Sequence, residues 1–286
     1  MKNEKRKMKK GKQCTVMAII VIIGIVCAAC DNGSKPQAKT YTVTFDSNGG
    51  SKINSISGLN SGDTITEPTI PTKTGYDSKF VGWYDQTLIN EFDFDTEITA
   101  DITLYAKWRP YELGETGLGG GKIFYRSETG FTMMDTNETC HYLEAAPADM
   151  PAKLMWASTA HQSTDITNGI LDVEIGYGRK NTTRILSIDS TAPAALACDE
   201  YISNGISDWF LPSWHELNEL YMNRNSIGNL QTDLQPDLET GGLSFPGYWS
   251  STQQANIYGI CIGFNDGGAG GNPKNGTYFV RAIRAF

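Results

Sequence analysis

Hydrophobic and polar positions change period along the chain, and each change marks an element. Residues 1–29 open on seven basic side chains, Lys2, Lys5, Arg6, Lys7, Lys9, Lys10 and Lys12, followed by an uncharged, mostly apolar run from Cys14 to Ala29. Spanning a membrane takes about 20 apolar residues, so this shorter run reads as the apolar region of an export signal. From Tyr41 to Phe45 polar and apolar side chains alternate as in a half-buried strand, then run into the turn-forming Asp46–Gly50. Pro68, Pro71 and Gly75 punctuate a loop before a strand at Phe80–Tyr84, and a strand at Ile102–Trp108 closes the unit.

Beyond a short joint the pattern becomes mixed. Gly114, Gly117, Gly119, Gly120 and Gly121 precede a strand at Lys122–Tyr125. Phosphate-binding loops place their glycines after a strand and before a helix, so this inverted order reads as plain loop. A hairpin through Glu128–Gly130 leads to Phe131–Met134. Two helices follow. The first is capped by Ser190 or Thr191, has Pro193 in its first turn and an apolar stripe of Ala195, Cys198 and Ile202, and ends at Gly205. The second opens on a Ser213/Glu216 capping box and turns Leu217, Leu220 and Tyr221 inward. Strands are expected at 247–252, 257–264 and 277–286, with 265–276 as a long polar hairpin loop.

Charge narrows the possible partners. Residues 30–286 carry 17 basic and 31 acidic side chains, a balance of −14, and residues 114–286 carry ten and 19, a balance of −9. Such a surface repels nucleic acid and heparin-like polymers and favours neutral glycans or a cation-bridged ligand. Three histidines leave little material for His-based metal or acid–base chemistry. Behind the signal and Cys30, only Cys140, Cys198 and Cys261 remain; their wide spacing matches no zinc pattern, and buried unpaired thiols are the expected state.

Three sets of motifs resemble known families. Val26–Ala29 before Cys30, followed by the polar Asp31–Pro36, resembles a bacterial lipoprotein signal, which implies lipid on Cys30 and a mature chain outside the cytoplasm, anchored in the cell envelope. The pieces V-T-F-D-S-N-G-G, I-T-E-P-T-x-P-T-K-x-G-Y, F-x-G-W-Y and T-L-Y-A-K-W in 41–108 resemble the Listeria–Bacteroides repeat, also called the internalin B-repeat. That implies a small β-grasp-like module of bacterial surface proteins, here a single copy suited to a stalk. The pieces Y-L-E-A-A-P-A-D, D-W-F-L-P-S-x-x-E-L, Y-W-S-S-T and V-R-A-I-R-A-F resemble the C-terminal domain of the Legionella collagen-like protein family. That family resemblance implies a glycan-binding surface protein and adhesion rather than catalysis; more distantly, L-P-S-x-x-E-L is similar to a segment of formylglycine-generating-enzyme folds, which implies a C-type-lectin-like head. The organisation is therefore α+β: signal peptide 1–29, linker 30–40, β-grasp-like repeat 41–108, joint 109–113 and a lectin-like mixed α/β domain 114–286.

Several motifs imitate chemistry. His215 and Glu216 begin an H-E-x-x-H zinc helix, but Glu219 replaces the second histidine and Glu216 is committed to the cap. Gln235–Asp237 and Phe264–Asp266 imitate paired calcium motifs of true lectins without their tryptophan. Glu91, Asp93, Asp95 and Glu97 alternate with Phe92 and Phe94, which reads as a solvated acidic strand face; linear spacing does not wrap a Ca²⁺ ion. Cys261 lacks the partner a formylglycine-type redox pair needs. No cofactor and no metal is expected, and no catalytic residue is assigned. The expected ligand face joins Tyr248, Gln253 and Gln254 to Asn265, Asp266, Asn272, Lys274 and Asn275, where amides, a carboxylate and an aromatic could hold a host or bacterial surface glycan or protein. Trp249, alternating with Tyr248, is expected in the core. Two other readings stay open: a structural envelope protein making only protein contacts, and a diverged enzyme.

Overall fold

The computed structural model describes residues 38–166, 172–236 and 243–286. The export signal, Cys30 and Asp237 of the Q-P-D segment lie outside the described residues. Strands β1 (Tyr41–Asp46), β2 (Ile56–Leu59), β3 (Lys79–Tyr84) and β4 (Ile102–Arg109) form one mixed sheet ordered β2-β1-β4-β3. The central pair β1/β4 is parallel, with Val43 opposite Ile102 and Phe45 opposite Leu104, and both flanks are antiparallel. Period-two alternation buries Val43 and Phe45 and leaves Thr44 in solvent. Behind β1 the chain turns through left-handed backbone at Asn48 (φ 46°) and Gly49 (φ 86°), the residue types that tolerate it best. Trp83 anchors the core, meeting Phe45 and Phe80 edge-on at 4.9 and 5.6 Å. No helix occurs between 41 and 108.

The acidic run departs from its expected form. Glu91, Asp93, Asp95 and Glu97 are exposed while Phe92 and Phe94 turn toward the core, so the alternation of burial is real. The backbone is nevertheless a turn: the Asp93 carboxylate accepts from Asp95 N, and its carbonyl accepts from Thr96 N. An Asx-type bond of this kind offers the backbone an alternative to strand pairing.

In the head, β5 (Lys122–Thr132) and β6 (Thr139–Ala145) form a hairpin, followed by β7 (Leu154–Met155). Helices α1 (Gly178–Ile188), α2 (Pro193–Asp199), α3 (Trp214–Met222) and α4 (Arg224–Ile227) come next. The chain closes through β8 (Gln235–Pro236), β9 (Leu243–Ser244), β10 (Gly247–Ala255), β11 (Tyr258–Gly263), β12 (Ala269–Pro273), β13 (Thr277–Tyr278) and β14 (Ile283–Ala285). Two three-stranded sheets, β14-β6-β5 and β10-β11-β12, dominate, with short pairs β13/β7 and β8/β9 beside them.

Strand β10 divides the interior. Tyr248 points into a core with Phe124, Leu143, Phe210, Leu217 and Phe264; Trp249 points into another with Trp156, Ile185, Ala195 and Leu211. Both rings are fully buried. Expecting only Trp249 inside assumed one wet face, whereas helices α1 and α2 line the Trp249 side and α3 with sheet β14-β6-β5 covers the other.

Two helical expectations need correction. Helix α2 ends at Asp199, before Ile202, which is two-thirds exposed, and no side chain caps its start. Helix α1 is absent from the sequence reading because its buried face mixes the polar Asn181 and Thr182 with Gly178 and a single fully buried apolar side chain, Ile185. Asn181 donates to Asp172 O at 2.7 Å, and the Thr182 hydroxyl accepts from Leu211 N at 3.0 Å. Side chains that hydrogen-bond inward leave no apolar stripe to detect. The expected loop 265–276 is also not one loop: Ala269–Pro273 pairs along β11 as an edge strand, supported by backbone bonds that glycine composition does not reveal.

Candidate functional site

The residues expected to hold a ligand do not converge. Tyr248 is fully buried; its hydroxyl donates to Asp149 Oδ2 at 2.6 Å and accepts from Gln231 N at 2.7 Å, and burial raises its pKa. Gln253 and Lys274 are each 1% exposed and contact one another inside the head. Among the rest, Gln254, Asn265, Asp266 and Asn275 are exposed and Asn272 is half-buried. Strand β12 separates them, because Tyr258 faces Pro273 at one end of the β11/β12 pair and Ile262 faces Ala269 at the other. At about 3.4 Å per residue the two ends lie roughly 14 Å apart. Asn265 and Asp266 sit at one end, with the Asp266 carboxylate accepting from Gly268 N; Gln254, Asn272 and Asn275 lie toward the other.

The family-like motifs carry a different duty. Glu144 accepts from Gly119 N at 3.1 Å and Gly121 N at 2.7 Å, so the glycine run wraps a carboxylate belonging to the chain itself. A Cβ on Gly119 would meet the Trp209 ring at 2.5 Å, and one on Gly121 would meet Ala145 O at 1.8 Å, which explains both glycines by close approach. Arg284 donates to Glu144 at 3.2 Å and, through both remaining nitrogens, to Asp208 at 2.7 and 3.0 Å. Arg281, fully buried at its side chain, pairs with Asp149 at 2.6 Å. Three motifs distant in sequence are thus tied together by ion pairs, buried at Glu144 and Arg281 and open to solvent at Asp208. Burial raises Asp149, although Arg281 and the Tyr248 hydroxyl pull it down. Ser213 and Glu216 form the expected capping box, and Glu216 further accepts from Gly176 N at 2.8 Å. Complete burial lifts the Glu216 carboxyl to about 7 against those hydrogen bonds. His215 pairs with Glu174 at 2.9 Å, and among the described residues no group of three or more His, Cys, Asp and Glu side chains is placed to hold a metal ion. Cys140, Cys198 and Cys261 are buried and unpaired, with burial raising every thiol.

A concave site lies where the repeat meets the head. Tyr76 stacks on Tyr142 at 5.9 Å with planes 5° apart, Tyr142 donates to the Tyr76 carbonyl and accepts from Tyr111 N, and Phe286 packs against both Tyr111 and Tyr142. Beside this aromatic seam opens a cleft of about 700 Å³, a volume suited to a small ligand. Gly49–Ser51 and Thr72–Gly75 form its repeat wall; Leu118, Glu138–Cys140, Arg179, Asp208 and Arg284–Phe286 form its head wall. Its cations are already engaged. Arg179 donates to Asp135 at 2.7 Å, Thr136 at 3.0 Å and Glu138 at 3.3 Å; Arg284 is held as above and lies 4.9 Å from the Phe286 ring. Lys73 sits over Trp108 at 5.5 Å. In an adjoining pocket of about 120 Å³, Ser78 Oγ is buried without a hydrogen-bond partner among the described residues. The arrangement presents paired donors and acceptors beside apolar surface. Sequence reasoning missed it because its walls come from segments far apart in the sequence; the available signal was that Asp208, Arg284 and Phe286 all belong to the quoted motifs.

Two family models match separate parts of the chain. Residues 41–107 match the Listeria-Bacteroides repeat domain, and residues 146–284 match the Lcl C-terminal domain. A Gly-rich membrane protein of Evansella cellulosilytica is 39% identical over 94 residues, 32% of this chain and 10% of that protein. Internalin H of Listeria monocytogenes is 41% identical over 78 residues, 26% of this chain and 13% of its own length. The chain thus spans only about a tenth of the length of these relatives. A fimbrial protein from Bacteroides ovatus superimposes with a TM-score of 0.41 at 14% identity, over 86% of this chain and 70% of that one.

Proposed function

We propose that the chain is a cell-surface, adhesion-type binding protein whose ligand enters the cleft between the repeat and the head. The observation that carries this is the cleft itself: it encloses about 700 Å³ and has both the repeat and the head as walls. The match to a repeat also present in an internalin, and relatives named as membrane proteins, support the surface setting. The ligand class follows from charge. Arg179 and Arg284 spend their donors on Asp135, Glu138, Asp208 and Glu144, so a sulfated polymer finds no uncommitted guanidinium there. A neutral glycan, offering hydroxyls to the paired charges and an apolar face to Leu118 and Phe286, meets both kinds of surface.

The head is read as a non-catalytic, lectin-like domain on the strength of the motif resemblance, and Cys30 is read as the lipid-bearing residue that anchors the chain to the membrane. A glycan array probed with residues 40–286 tests the binding: neutral glycans should be retained, and exclusive, salt-sensitive retention of heparin-like polymers would reject the ligand class. Cys30→Ser should abolish labelling by radioactive palmitate; absence of label on the unsubstituted protein would reject the anchor.

A further inference from the structure

Lys274 and Gln253 leave the ligand face and meet inside the head. The Lys274 ammonium, 1% exposed, donates to Gln253 Oε1 and to Thr164 O, both at 2.7 Å, and lies 4.6 Å from the centre of the Trp156 ring. Two neutral acceptors and an aromatic face are a poor exchange for water around a full charge. The amide is held at both ends. Gln253 Oε1 also accepts from Ile166 N at 3.1 Å, and Gln253 Nε2 donates to Asp165 Oδ1 at 2.8 Å. A nucleophilic nitrogen, a carbonyl with a backbone donor on its oxygen and a carboxylate on its leaving nitrogen are therefore gathered in one water-poor place.

We propose that Lys274 and Gln253 join in an autocatalytic isopeptide bond that ties β10 to the turn after β12, with Asp165 as proton carrier. Asp165 takes one proton from the ammonium, and the neutral amine attacks Cδ of Gln253. The Nζ–Cδ bond forms, and the Ile166 N–H holds the oxygen as it becomes an oxyanion. A second proton passes from Nζ to Nε2 through Asp165, the Cδ–Nε2 bond breaks, and the departing nitrogen leaves as ammonium with both transferred protons. Lysine ammonium plus glutamine amide thus become a secondary amide plus ammonium; charge is conserved and no oxidant or co-reactant is required. Burial lowers the Lys274 pKa to about 8, against the pull of Asp165 and Asp189, which places a useful fraction of neutral amine near neutral pH. The bond removes the buried charge and closes a loop containing all of β11 and β12.

Tryptic mapping of the full chain tests this directly. Arg224, Lys274 and Arg281 bound the relevant peptides, with no other basic residue between the first two. The crosslinked protein should resist cleavage after Lys274 and yield one 225–281 species lighter by one ammonia, whose fragmentation shows the Lys274–Gln253 branch. Asp165→Asn should restore cleavage after Lys274 and the uncrosslinked mass. Peptides 225–274 and 275–281 at their plain sequence masses, recovered from the unsubstituted folded protein, would overturn the crosslink. An ammonia loss that persists undiminished in Asp165→Asn would overturn the role given to Asp165.

Discussion

The repeat keeps its carboxylates outside, while the head draws several of them in. In the repeat, Glu91, Asp93, Asp95 and Glu97 face solvent over an aromatic core centred on Trp83. In the head, Glu144, Asp189 and Glu216 are almost completely buried, each held by backbone amides, with Arg284 completing Glu144. A purely apolar core tolerates many repackings, whereas a buried charge demands its own partner in its own geometry. The head's motif residues are therefore explained by folding, and they do not by themselves reveal a ligand. What remains unexplained by folding is the space between the two domains.

This contrast can be broken most severely at Glu144. Replacing it with alanine leaves the amides of Gly119 and Gly121 unpaired and takes from Arg284 its buried carboxylate, leaving it only Asp208, and should cost about 3–5 kcal/mol in urea unfolding. Asp93→Ala in the repeat should stay within about 0.5 kcal/mol. Comparable losses for the two would erase the distinction.

Next in size is the capping glutamate. The Glu216 carboxyl rises from 4.5 to about 7 on folding, because burial disfavours its charge. The folded state then keeps a proton that the unfolded state releases, so the contribution of this group falls as pH rises through that interval. The melting temperature should decline between those pH values, and Glu216→Gln should flatten the decline while lowering stability overall through the lost acceptor. A slope unchanged by the substitution would place the titration elsewhere.

A smaller effect is expected at the seam. Tyr142→Phe removes the hydroxyl that donates to Tyr76 O and accepts from Tyr111 N, at a cost of about 1 kcal/mol. The repeat and head should then unfold less cooperatively, visible as broadening of a calorimetric transition. Smallest of all, joint replacement of Asn265, Asp266, Asn272 and Asn275 by serine should cost about 0.5 kcal/mol, because three of these side chains are exposed and Asn272 gives up one partly buried bond from the Tyr278 hydroxyl.

The sequence made the repeat legible, because alternating Val43 and Phe45 and the Asn48–Gly49 turn are local signals. The capping box at Ser213 and Glu216 was legible for the same reason. Helix α1 escaped because Asn181 and Thr182 bury polar groups, and β12 escaped because its pairing partner, not its own glycines, makes it a strand. The ligand residues were misgrouped by proximity in sequence: a single edge strand moves Asn265 and Asn272 to different ends, while Tyr248, Gln253 and Lys274 turn inward. A cleft walled by Lys73 and Arg179, 106 positions apart, leaves no mark in any one segment.

The decisive measurement compares two variants of residues 40–286 for affinity toward any glycan retained on the array. Leu118→Trp with Arg179→Ala fills the cleft and strips its polar wall, and should reduce binding at least about tenfold, equivalent to about 1.4 kcal/mol. The four-serine loop variant should bind like the parent. Retained affinity in the cleft variant, with loss in the loop variant, would contradict the placement of the site between repeat and head.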